Sequence, residues 1–240
     1  MKQEINLNKD LYWFKKNYCH NDRARKQILK DFKVSVESFE ELGLGQCINS
    51  YATGERKIED SFMIFKVFDP KNNQTYFPVF SEKVARDMLS GSSISVPKKM
   101  TIFANESDIT NHRLTKPSGS NTYVKQTEPN KELINLIVIA RRFMIFGVQN
   151  PSPMNGPFKE IYDRLIASPD KNPKPQDIKS VNTSITNFIT KNHNKIRFKS
   201  LNDFIEHIRN LPDCKPLKAI NFDLIRTMLT TANQNIEPQF

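Results

Sequence analysis

Residues 61–80 read SFMIFKVFDPKNNQTYFPVF, and this stretch decides the class of fold. SFMIFKVF is rich in aromatic and β-branched residues, DPKNNQ carries the Asp, Pro and Asn of a turn, and TYFPVF returns. The segment predicts an antiparallel hairpin. Pro78 has no N–H to give to a ladder, so the returning strand belongs at an edge, or ends where Ser81 caps a helix over EKVARDML.

On the N-terminal side of the hairpin the pattern is helical. Asn8 can cap a segment with Leu11, Phe14 and Tyr18 on one face, and Asn21 a second with Ile28, Leu29 and Phe32. Ser35 is then expected to open a third helix with Val36, Phe39 and Leu42 inward and Gly43 just past its end. On the C-terminal side, a weaker β pattern at 93–96 and 100–103 leads into a polar, turn-rich loop over 104–121.

A helix is predicted from Thr127 to Gly147, with Pro129 near its start. At 100° per residue Lys131, Asn135 and Arg142 fall within about 40° of one another and most of the remaining circumference is apolar. Such a helix is enclosed by other elements. Phe158, Ile161, Tyr162, Leu165 and Ile166 mark the next helix, and Ile178, Val181, Ile185, Phe188 and Ile189 another. Ser200 can cap a helix carrying Leu201, Phe204, Ile205 and Ile208, and Asn221 the last one, with Phe222, Ile225, Met228 and Leu229. The intervening SPDKNPKPQD, residues 168–177, has Pro169, Pro173 and Pro175 and reads as a linker.

These elements predict an α+β protein: a helical N-terminus, a small antiparallel sheet, a central apolar helix and a helical C-terminal bundle. The expected organisation is an α+β module over 1–167, the Pro-rich linker 168–177 and a helical subdomain over 178–236.

Composition narrows the function classes. The 240 residues hold 36 Lys and Arg against 26 Asp and Glu, a formal charge of +10, and only 7 Gly. Phosphate-cradling loops consume glycine, and neither a dinucleotide-binding nor a P-loop motif occurs. His20, His112, His193 and His207 have no metal-ligand spacing, so no metal or other cofactor is expected. Cys19, Cys47 and Cys214 are odd in number and far apart, which points to a reducing compartment. The N-terminus lacks an apolar signal-like run, and the segment Leu133 to Val148 is too short and too charged to span a bilayer. The expected location is cytoplasmic, or inside a host cell after delivery without a cleavable signal.

Charge is the remaining lead. Taken sixty residues at a time the net charge is +1, +3, +3 and +3, so no tail carries the excess. The densest run noted is Lys191, Lys195, Arg197 and Lys199, with Phe198 interleaved; Lys98 and Lys99, and Arg141 and Arg142, form two further clusters. Cations release counterions from a phosphate backbone and an aromatic can stack on a base. The leading expectation is therefore a non-enzymatic binder of a polyanion, foremost nucleic acid. The alternative is a protein-interaction module or effector-like accessory factor. A third reading, a cysteine hydrolase, takes Cys47 as nucleophile and His112 as base.

Overall fold

The computed structural model describes residues 12–42, 47–52, 57–103, 125–148, 154, 156–194, 196–211, 217, 221–233 and 235–240. They form an α+β structure of eight helices and one four-stranded antiparallel sheet. Two compact units result, the first running to Thr101 and the second starting at Ile102.

The first unit contains α1 (12–18), α2 (Asp22–Asp31), β1 (Lys33–Glu41), β2 (Ser61–Asp69), β3 (Gln74–Tyr76), β4 (Val79–Ser81) and α3 (Glu82–Leu89). The hairpin forms as its residues require. Asp69 Oδ1 accepts from the amides of Lys71 at 2.8 Å and Asn72 at 3.3 Å, and Asn73 takes the left-handed φ of 52° that closes the turn. Strand β2 is central, with β1 on one side and β3 and β4 end to end on the other. Pro78 separates β3 from β4, while its carbonyl still accepts from Phe65 N at 3.0 Å. Ser81 Oγ then caps α3 by accepting from Val84 N at 3.4 Å. One face of β2, carrying Met63, Phe65 and Val67, packs with Phe14, Cys19 and Ile28 from the N-terminal helices and Ala85, Met88 and Leu89 of α3.

The helix expected after Ser35 is instead β1, paired with β2 along its whole length. A bulge between Val36 and Ser38 explains the misreading. Val36 lies opposite Phe65 and Phe39 opposite Met63, so both face the core although they are three residues apart. An extra residue inserted into a period of two yields a spacing of three, which mimics one turn of helix. Of the weaker β pattern that follows, residues 93–96 form no strand, whereas Met100 runs parallel to β1 at its edge: Glu41 N donates to Met100 O at 3.0 Å and Met100 N to Phe39 O at 2.7 Å.

The second unit is helical: α4 (Glu128–Val148), α5 (Gly156–Ala167), α6 (Pro175–Asn192), α7 (Leu201–Arg209) and α8 (Asp223–Ala232). Helix α4 is enclosed as expected, packing on α5, α6, α7 and α8. The Pro-rich segment lies within this unit and is pinned to the start of α4. Pro169 and Pro173 are buried, Thr127 N donates to Pro169 O at 3.0 Å, and the fully buried Asn130 Nδ2 lies 3.1–3.2 Å from the carbonyls of Leu165, Ser168 and Lys171. At α7 Ser200 caps as expected, accepting from Asp203 N at 3.0 Å. At α8 the work is divided: Asn221 Oδ1 accepts from Asp223 N at 2.9 Å, while Glu132 Oε2 of α4 reaches across to accept from Ile225 N at 3.0 Å. Among the described residues no helix is long and apolar enough to cross a membrane.

Candidate functional site

Residues 12–33 carry Lys15, Lys16, Arg23, Arg25, Lys26, Lys30 and Lys33 against Asp22 and Asp31, a local net charge of +5. The fold fixes this segment firmly. Phe14, fully buried, stacks on Tyr76 at 4.5 Å and on Tyr18 at 5.5 Å, and Phe32 meets both Phe14 and Tyr18 edge-on. Asn21 Oδ1 caps α2 by accepting from Ala24 N at 2.8 Å. Beside it lies Cys19, whose thiol burial pushes up to about 12 against the opposing pull of Lys15 and Arg25; it is a core residue and no nucleophile at neutral pH.

The charged side chains then sort by partner. Arg25 is buried, donates to Cys19 O at 3.0 Å and pairs with Asp22, so it serves the fold. Asp31 accepts from two neutral donors, Gln27 Nε2 at 2.8 Å and Tyr18 Oη at 3.3 Å. The other six cations are exposed, and among the described residues none of them makes an ion pair. Arg23, Lys26 and Lys30 follow i, i+3, i+7 on the face of α2 opposite the buried Ile28. On α1, Lys15 leans over the Tyr51 ring at 5.7 Å and Lys16 points outward, beside two exposed aromatics, Tyr12 at 68% and Trp13 at 44%.

The clusters named from sequence fare differently. Lys191, Arg197 and Lys199 are exposed in the second unit, and Lys195 lies outside the described residues. Phe198 is buried against Phe204 at 5.4 Å and His207 at 4.9 Å, so its ring has no free face for a base. Arg141 and Arg142 are 8% and 2% exposed inside the bundle and cannot reach a phosphate. Lys98 is exposed; Lys99 pairs with Glu82 at 2.8 Å and sits over the Phe39 ring at 4.6 Å. Cys47 is exposed, and His112 lies outside the described residues.

A cleft of about 500 Å³ is lined by Lys57, Glu59, Asp60, Ser61, Glu82 and Lys83. Burial tends to raise the pKa of Glu82, but hydrogen bonds from Lys99, Ser61 and Arg86 outweigh it and hold the group at about 2. A carboxylate so held stays ionised and gives no general acid or base near neutrality. Among the described residues no group of His, Cys, Asp and Glu has the makings of a metal site.

The fold defines an α+β protein in which α1 and α2 carry a run of exposed cations without ion pairs among the described residues. Compared with known proteins, the chain matches no family model, no curated protein and no solved structure.

The basic α1–α2 surface was missed because sixty-residue averaging hid it: Glu37, Glu40, Glu41, Glu55, Glu59 and Asp60 cancel it within the same block. A window of about twenty residues would have found it.

Proposed function

We propose that the protein is a non-enzymatic nucleic-acid binder that engages the phosphate backbone through the α1–α2 surface of its first unit. The observation that carries this reading is the set of six exposed cations without ion pairs among the described residues, Lys15, Lys16, Arg23, Lys26, Lys30 and Lys33. Its supports are charge density and geometry. Arg23 to Lys30 spans about 10 Å of helix, close to one Debye length at physiological salt, so their fields add at the surface. Lys191, Arg197 and Lys199 of the second unit are assigned a supporting share of phosphate contacts.

The test is a salt series on a labelled twenty-nucleotide RNA or DNA. Log affinity should fall linearly with log salt, and the triple variant Arg23→Gln, Lys26→Gln, Lys30→Gln should flatten the slope by about 2, from about 0.7 per phosphate on a single strand. Neutralising exposed side chains leaves the core packing intact. Absence of binding at low ionic strength, or an unchanged slope in the variant, overturns the proposal. Neutralising Lys191, Arg197 and Lys199 instead should flatten it less.

A further inference from the structure

We infer that the bound form is single-stranded, with an unpaired base stacked on the indole of Trp13. This inference rests on the nucleic-acid reading above and names the substrate class of the same surface.

Phosphate contacts alone do not distinguish strands from duplexes, because both present a charged backbone. An exposed aromatic does. In a duplex the base faces are covered by their neighbours, whereas a single strand can offer each face to a ring. Trp13 is displayed rather than buried, with 44% of its surface exposed, while Phe14 beside it is fully buried and anchors the helix. The indole is also positioned. Asn17 Nδ2 donates to the backbone carbonyl of Trp13 at 2.8 Å and so holds the main chain there, and Tyr18 meets the Trp13 ring edge-on at 5.8 Å and 65° without covering it. Tyr18 is itself held by Phe32 at 4.9 Å, so the platform is tied to the end of α2.

Charge stands where a strand needs it. Lys16 lies three residues after Trp13 on the same side of α1, and Lys30 and Lys33 flank the Asp31–Phe32 pair to which Tyr18 is joined. A stacking ring with cations on either side is the arrangement that binds single strands with little sequence preference. An acidic protein would use the cations and leave the indole idle.

Trp13 is the only tryptophan in the chain, so intrinsic fluorescence reports on this residue alone. The full chain is titrated at low salt with a twenty-nucleotide oligo(dT) and with a twenty-base-pair duplex. Oligo(dT) should quench the emission and the duplex should leave it unchanged. Trp13→Ala should weaken oligo(dT) binding by about 5- to 150-fold, the range for one lost base stack, with the salt slope retained; Trp13→Phe should recover most of the affinity. Binding of both nucleic acids with equal affinity, or oligo(dT) binding without quenching, overturns the single-strand inference and leaves the nucleic-acid reading standing. Failure of both nucleic acids to bind overturns both.

Discussion

Glu82→Gln should lower stability at neutral pH and cost little at pH 2. In the folded protein the Glu82 carboxylate, at the first turn of α3, accepts from Ser61 Oγ at 2.6 Å, Lys99 Nζ at 2.8 Å and Arg86 Nε at 2.8 Å. Burial opposes ionisation, yet these donors bring the group from its ordinary 4.5 to about 2. At about 1.36 kcal/mol per pKa unit the shift corresponds to about 3 kcal/mol of linkage. The side chains of Arg86 and Lys99 are 57% and 35% exposed, so water screens part of that attraction. About 1–2 kcal/mol is the expected remainder.

The sign follows from the direction. A carboxylate whose folded pKa lies below its unfolded one stabilises the fold above about 4.5, and that contribution disappears as pH falls towards 2. Melting curves of the natural protein and the Glu82→Gln variant, followed by Trp13 emission because Trp13 lies in the same unit, should differ by about 2–8 °C at pH 7. The difference should close between pH 5 and pH 2. A gap that stays constant across that range refutes the electrostatic account and leaves altered packing around the substituted amide as the cause of any loss.

Two further substitutions probe the second unit. Asn130→Ala removes the shared donor of three carbonyls and the acceptor of Gln126 Nε2 at 2.7 Å, and should cost about 2–3 kcal/mol in urea unfolding; Asn130→Asp, which aims a carboxylate at those carbonyls, should cost more. Glu132 has the opposite sign to Glu82: burial raises its pKa although the amides of Ile225 and Leu224 pull it down, so its own contribution to stability is greatest below 4.5 and falls as pH rises through the elevated value. Glu132→Gln keeps an acceptor for Ile225 N without the charge and should melt no lower than the natural protein at pH 7, whereas Glu132→Leu, losing the acceptor, should melt lower.

What could be read from sequence was local. The Asp69 turn, the caps at Asn21, Ser81 and Ser200, and the stripes of α6 and α7 each depend on residues within one turn of each other. The bulge in β1 defeated the reading because a single inserted residue changes the apparent period. The capping of α8 by Glu132 joins residues 93 positions apart, and no local pattern announces it. The burial of two candidate site residues was not legible for a related reason. Arg142 shares a polar arc with Lys131 and Asn135, but polarity along one stripe of a helix does not say whether water lies outside it, and the bundle buries that arginine to 2%. Phe198 sat among cations in sequence, while the fold turned it into the core beside Phe204.

Net charge, then, does not decide where a phosphate could bind; the partners chosen by the acids do. At α3 one carboxylate, Glu82, engages two cations, Arg86 and Lys99, and draws both out of the free surface charge. Along α1 and α2 the same chemistry runs differently. Asp22 takes the already buried Arg25, and Asp31 is satisfied by the neutral Tyr18 and Gln27, so neither withdraws a lysine from the surface. Replacing Gln27 by Lys would give Asp31 a charged partner at i−4 and add no free cation, so the salt slope of binding should stay where it is; a lysine in place of exposed His20, which has no acid three or four residues away, should steepen it by about 0.7. Equal steepening by both substitutions would show that total charge governs binding and that the pairing argument is wrong.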